Sequence, residues 1–90
     1  MNVQIDIPQF LQHLTNGVKV AKANGNTVGD CLVDLVRQFP RVRELLMDKN
    51  GKLLKYVEVS VNGESTYPEE LAKPVKDGDV IYIFHAIAGG

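Results

Sequence analysis

The chain has 90 residues, about the size of one small domain, with 44% hydrophobic residues and a formal net charge of −1. This balance offers no basic footprint for nucleic acid, and no apolar run reaches the roughly 20 residues of a membrane-spanning helix. The single cysteine, Cys31, excludes an internal disulfide. Because the N-terminal residues alternate between apolar and polar, they do not resemble a signal peptide, and a cytoplasmic protein is expected.

Two short alternating segments begin the chain. Apolar and polar residues alternate over residues 2–7, which predicts a half-buried strand. A second alternation has Val18 and Val20 on one face and Lys19 on the other, and its buried part is expected to end near Ala21. We therefore predict two antiparallel strands.

The strongest pattern predicts an amphipathic helix. Its apolar residues recur at spacings of three and one, and they are Val28, Cys31, Leu32, Leu35, Val36 and Phe39. Thr27 is the expected N-cap, with Asp30 as the reciprocal acid. Pro40 should end the helix, and residues 42–46 predict one further helical turn.

The second half of the chain predicts more strands. Valines alternate over residues 57–61 and lead into Asn62-Gly63, a dipeptide suited to a tight turn with positive φ. Residues 67–74 show little periodicity, and residues 80–84 are apolar on both faces, as in a central strand.

One amphipathic helix can cover one face of a sheet, so these elements predict an α+β fold. The expected architecture is a β-grasp, or ubiquitin-like, roll with a mixed sheet of four to five strands packed on one main helix. The first and last strands should be parallel neighbours. We expect the domain to span residues 1–84 and to be followed by a flexible tail, residues 85–90.

The residues that could carry catalysis are scattered. Cys31 lies on the core stripe of the helix, where apolar surroundings raise the pKa of a thiol. His13 and His85 are far apart in sequence, and Glu69-Glu70 is typical of a solvated acidic turn. We therefore expect a protein that is not an enzyme and that binds no metal or cofactor itself.

The C-terminal Gly89-Gly90 offers a different kind of site. Glycine has no Cβ, so a partner can close around the backbone, and the terminal carbonyl is open to attack. Beyond Phe84, six residues can extend about 20 Å. We expect Ile87, Ala88 and Gly89 to thread into a partner's channel, with the carboxylate of Gly90 as the group to be activated.

The same end of the chain contains a candidate docking patch. Tyr82 and Phe84 should point away from the helix, on the open face of the sheet, with His85 beside them. The alternative is that residues 67–74 fold over these aromatic side chains.

Several motifs resemble the ThiS/MoaD family of sulfur carriers over the whole chain. They are the hairpin Val61-Asn62-Gly63-Glu64, the turn Lys76-Asp77-Gly78-Asp79 and the final Gly89-Gly90. The opening M-N-V-x-I-x-I-P, the stretch L-M-D followed by G-K-L, and the final A-I-A-G-G are similar to the CysO branch, which serves cysteine synthesis. Many members have prolines before the tail, where this chain has His85-Ala86.

The resemblance implies a cycle of reactions at Gly90. An E1-like enzyme would adenylate it with ATP and Mg²⁺, and a sulfur donor would convert it to a thiocarboxylate. A pyridoxal-phosphate enzyme of the cysteine synthase type would accept the sulfur, and a zinc metallopeptidase would release the amino acid. ATP, Mg²⁺, pyridoxal phosphate and zinc would all be held by these partners. The alternatives are a ubiquitin-like modifier conjugated through Gly90, or a sulfur carrier for molybdopterin or thiamin synthesis.

Overall fold

Residues 1–85 are described by a computed structural model, in which five strands form a single sheet. The strands are β1 (Asn2–Asp6), β2 (Val20–Asn24), β3 (Val57–Val61), β4 (Glu64–Ser65) and β5 (Val80–His85). Their order across the sheet is β2-β1-β5-β3-β4. Strand β5 is parallel to β1 and antiparallel to β3, which confirms the predicted central position of the last strand.

Within residues 1–85, three α-helices accompany the sheet: α1 (Gln9–Gln12), α2 (Val28–Gln38) and α3 (Arg43–Leu46). Short 3₁₀ turns cover Pro40–Val42 and Glu70–Ala72. The predicted β-grasp fold, with a mixed sheet and one main helix, is confirmed. No helix within residues 1–85 has the length and apolar character needed to cross a bilayer.

Helix α2 begins and ends where the sequence predicts. The Thr27 hydroxyl accepts the backbone N–H of Asp30 at 3.1 Å. The Asp30 carboxylate accepts the N–H of Asn26 at 3.2 Å, one residue before the N-cap, so the reciprocal bond is displaced by one position. The helix ends at Gln38, ahead of Pro40. Its apolar stripe is buried in the core at Val28, Cys31, Leu32 and Leu35.

Strand β2 is antiparallel to β1 as predicted, but the predicted buried face is wrong. The buried side chains are those of Ala21 and Ala23, whereas Val20 is 50% exposed. Helix α2 packs against this strand, and alanine is small enough to fit beneath it. The larger valine therefore lies on the side of the sheet that the helix does not cover.

The outer edge of β2 is closed by polar side chains of α2. Gln38 Nε2 donates to the carbonyl of Lys22 at 2.8 Å. The backbone N–H of Asn24 donates to the Asp34 carboxylate at 2.9 Å. These two bonds satisfy outward-facing backbone groups that would otherwise be open to another strand.

A polar cluster ties the β3–β4 hairpin to the start of β5. Asn62 and Gly63 form the hairpin turn with φ of 54° and 87°. The side chain of Asn62 accepts the N–H of Val80 at 2.9 Å and donates to Asp79 at 3.0 Å. Asp79 is buried and also accepts the backbone N–H of Lys76 at 2.9 Å. This backbone N–H, followed by the Asn62 amide, holds the pKa of Asp79 below its usual value.

The segment between β4 and β5 packs against the N-terminal end of α2. The backbone N–H of Val28 donates to the carbonyl of Lys73 at 2.9 Å. A Cβ placed on Gly29 would lie 3.0 Å from the Leu71 carbonyl oxygen, so glycine allows this close approach. The contacts draw the segment toward the helix side of the sheet.

Candidate functional site

The end of β5 places an exposed aromatic side chain where the strand finishes. Ile81 and Ile83 are buried on the helix side, as their spacing predicts. Tyr82 and Phe84 point to the opposite face, where Tyr82 is partly buried and Phe84 is 49% exposed. Residues 86–90 follow directly.

Strand pairing defines the neighbours of these two aromatic residues. Tyr82 lies between Asp6 of β1 and Ser60 of β3, and Phe84 lies beside Glu58. Val20 is opposite Asp6 at the far side of this row. We call Val20, Tyr82 and Phe84, together with their acidic neighbours, the open face of the sheet. It combines exposed apolar area with negative charge, which suits recognition by another protein.

The final described residue, His85, is held by a contact that the sequence did not reveal. Strand β5 extends to His85, one residue past the expected domain boundary at 84, and this residue pairs with Val57. The imidazole stacks on the ring of Phe10 in α1, with centroids 4.3 Å apart and planes inclined by 17°. The end of the strand is therefore fixed to α1.

The remaining predicted tail residues lie outside the described part of the chain. These are the threading residues Ile87, Ala88 and Gly89 and the predicted acyl site Gly90. What the structure supplies is their point of attachment, which is the end of β5 beside Phe84 and the His85–Phe10 stack.

Residues 67–74 do not cover both aromatic side chains, which was the alternative to an open docking patch. The segment packs toward α2 through Leu71 and Lys73, as described above, and Phe84 stays half exposed. Tyr67 is itself 79% exposed. The segment borders the open face and leaves Phe84 accessible.

The other candidate groups do not assemble into a reaction centre among residues 1–85. Cys31 is fully buried, and burial, with the nearby Asp30 charge as a second cause, raises the pKa of its thiol to about 11. His13 and Glu69 are exposed. No group of three or more His, Cys, Asp or Glu side chains in this range could hold a metal ion.

The β-grasp architecture, with β5 at the centre of a mixed sheet packed on one main helix, makes this a ubiquitin-like protein. The family follows from the sequence: the chain belongs to the ThiS family, whose model matches residues 5–90. This assignment confirms the predicted family resemblance.

Individual relatives match all or nearly all of the chain. The sulfur carrier protein CysO of Mycobacterium tuberculosis H37Rv is 39% identical over 93 residues, covering 100% of both chains. A chain of the Amycolatopsis orientalis BexX/CysO complex aligns with a TM-score of 0.88 and 34% identity, covering 98% of this chain and 99% of that one. The crystal structure of Mycobacterium tuberculosis CysO gives a TM-score of 0.86 and 35% identity, with 94% and 99% covered. Because these relatives are carrier proteins, the prediction of a carrier that is not an enzyme is confirmed.

Proposed function

We propose that this chain carries sulfur for cysteine biosynthesis as a thiocarboxylate on Gly90. The observation that supports this most directly is its full-length similarity to sulfur carrier proteins named CysO. The geometry agrees, because the central strand ends at the surface beside the exposed Phe84, and the segment that ends in Gly90 continues from that point.

The chemistry begins with an inert group. The negative charge of the Gly90 carboxylate repels nucleophiles, and oxide is a poor leaving group. An E1-like enzyme would use ATP and Mg²⁺ to form the acyl adenylate and release pyrophosphate. Sulfide from a donor would then displace AMP and leave sulfur bound to the acyl carbon. ATP and Mg²⁺ are bound by that enzyme in this proposal.

The residues of this chain would contribute reach, access and docking. Gly89 and Gly90 have no Cβ that would block a narrow channel, and Ala88 and Ile87 precede them in the threaded segment. The open face would dock the enzyme through Tyr82 and Phe84. The stack of His85 on Phe10 would set the direction in which the segment leaves the domain.

Sulfur delivery would need two further partners. A pyridoxal-phosphate enzyme of the cysteine synthase type would hold the acceptor that the thiocarboxylate sulfur attacks. After an S-to-N acyl shift, a zinc metallopeptidase would cleave the new bond and regenerate the carrier. Pyridoxal phosphate and zinc belong to these enzymes.

The test is an intact-mass measurement. The full chain, incubated with the E1-like enzyme of its own cell, ATP, Mg²⁺ and sulfide, should gain about 16 Da as sulfur replaces oxygen. Deletion of Gly90 should abolish the gain, whereas Glu44→Gln, an exposed change on α3, should retain it. A full chain that gains no mass with any E1-like enzyme of its cell would contradict the proposal.

The same activated intermediate could lead to a protein modifier or to another sulfur pathway. Conjugates that carry a Gly-Gly remnant on lysine would indicate a modifier. Sulfur transfer only to molybdopterin synthase or thiazole synthase would keep the carrier chemistry and overturn the assignment to cysteine synthesis.

A further inference from the structure

The outer edge of β3 is only partly covered by β4. Strand β4 pairs with Ser60 and Val61 alone. One residue further on, the carbonyl of Val59 accepts the backbone N–H of Thr66 at 3.4 Å and the Thr66 hydroxyl at 3.0 Å. The chain then turns away, so the first half of β3 has no neighbouring strand on that side among residues 1–85.

Two backbone groups on this edge are left open. The N–H of Val59 and the carbonyl of Val57 face outward and have no hydrogen-bond partner within residues 1–85. The Thr66 carbonyl, the natural acceptor for Val59, instead accepts the N–H of Glu70 at 2.7 Å. Continuing the β3–β4 register would bring Pro68 opposite Val57, and proline has no N–H to donate.

The same edge opens into a cavity of about 300 Å³. Its lining includes Val57 and Val59 of the edge, Phe84 of the open face, and Ser60. Ser60 is only 5% exposed, and its hydroxyl has no hydrogen-bond partner among the described residues. A buried hydroxyl without a partner normally costs stability, so this cavity has unmet hydrogen-bonding capacity.

The charge of the cavity restricts its occupant. Among the described residues, the charged ones that line it are Glu58 and Glu70, and both are acidic. The aromatic rings of Tyr67 and Phe84 stand at the same site and are exposed. A segment that fits must therefore supply backbone hydrogen bonds, apolar contact and positive charge.

We propose that the edge of β3 at Val57–Val59 binds an extended, basic segment of a partner protein, which adds to the sheet as a further strand. A single residue of a parallel segment can donate its N–H to Val57 and accept the N–H of Val59. Lysine or arginine side chains then lie beside Glu58 and Glu70, and the Ser60 hydroxyl gains a partner. This site shares Glu58 and Phe84 with the open face, but binding there does not involve the acyl group of Gly90.

The first experiment is an NMR titration of the ¹⁵N-labelled full-length protein. The probe is a peptide of about six residues that alternates valine and lysine and has both ends blocked, so that one face of the strand is basic. The Val59 amide should show the largest shift and become protected from solvent exchange. The Asn24 amide, already bonded to Asp34, serves as the internal reference and should not move.

Charge variants test the acidic part of the site. Glu58→Gln and Glu70→Gln should each weaken binding about two- to fourfold, because each removes one exposed charge pair. Glu44→Gln on α3 should bind the peptide as the unchanged protein does. An otherwise identical peptide with glutamate in place of lysine should bind at least about fivefold more weakly.

Three results would overturn the proposal. They are an unchanged Val59 amide up to the solubility limit of the lysine peptide, shifts centred on Asn24 and β2, or equal binding of the glutamate peptide. None of them bears on the mass gain at Gly90, so the two proposals fail separately.

Discussion

Each edge of the sheet has an outward-facing carbonyl and an outward-facing N–H two residues further on. These groups are hydrogen-bonded at the β2 edge, whereas at the β3 edge they have no partner within residues 1–85. On β2, the carbonyl of Lys22 and the N–H of Asn24 are bonded to Gln38 and Asp34 of α2. On β3, the equivalent pair at Val57–Val59 has no partner within residues 1–85. Helix α2 packs against β2, so its polar side chains reach one edge only.

This difference shows that a helix can protect a sheet edge without adding a strand. An open edge invites pairing with another chain, and proteins limit that risk with charges, proline or a cover. The β2 edge has a cover made of two side chains. The β3 edge has the exposed charge of Glu58 and the proline at 68, which restrain aggregation and still leave room for a selected partner.

The largest effect on stability is expected in the polar cluster that ties the β3–β4 hairpin to the start of β5. Asp79→Ala removes the acceptor for Lys76 N–H and Asn62 Nδ2, and should cost about 2–3 kcal/mol in urea unfolding. Glu64→Ala, at an exposed position of β4 with no side-chain hydrogen bond in the described structure, should change stability by less than about 0.5 kcal/mol.

This loss should depend on pH in a defined direction. The folded pKa of Asp79 is lowered from 3.8, so its contribution is fully present above that unfolded value and is lost as pH falls through the folded pKa. The difference in unfolding free energy between the unchanged protein and Asp79→Ala should therefore shrink below pH 3.8. A difference that stays constant down to the acid limit of folding would contradict this role.

A smaller effect is expected from opening the closed edge. Asp34→Ala leaves the Asn24 N–H without its acceptor and should cost about 1–2 kcal/mol, with faster hydrogen exchange at that amide. Asp34 also forms an exposed ion pair with Arg37 at 3.1 Å, which should contribute little. Arg37→Ala is the matched control, and an equal loss in that variant would assign the effect to the ion pair instead.

The smallest effect is expected at the open edge itself. Ser60→Ala removes a buried hydroxyl that makes no bond in the described structure, so stability should stay within about 1 kcal/mol or rise. Thr66→Val removes the hydroxyl that donates to the carbonyl of Val59, and it should cost about 1 kcal/mol more than Ser60→Ala. Equal losses in the two variants would mean that Ser60 is bonded after all.

Features fixed by local periodicity could be predicted from the sequence. The apolar spacing of α2, its Thr27 cap and the two-sided apolar run of β5 all follow from residues close together in the chain. The face of β2 could not be predicted, because Val20 is more hydrophobic than Ala21 or Ala23 and only the nearby helix excludes it. An alternation of small apolar residues with Lys22 was the available signal.

The candidate site, too, could be predicted from the sequence only in part. Tyr82 and Phe84 could be placed on the open face because strand alternation determines it. The stack of His85 on Phe10 joins residues from opposite ends of the chain, and the open pair at Val57–Val59 depends on where Pro68 falls in the register. Such contacts are set by tertiary packing and leave no local pattern in the sequence.

The central position of β5 also governs how the sheet can be assembled. Within residues 1–85, β5 is the strand that joins the β1–β2 pair to the β3–β4 hairpin by hydrogen bonds. Two-stranded units are marginal in water, and loss of β5 also removes the buried Ile81 and Ile83 from the core, so a fragment that stops before Val80 should remain largely unfolded. Closure of the sheet must wait for pairings between residues far apart in the chain, which slows folding. If β5 were supplied as a separate peptide, the rest of the domain could fold only by binding that peptide. Folding would then report on the association of the two pieces.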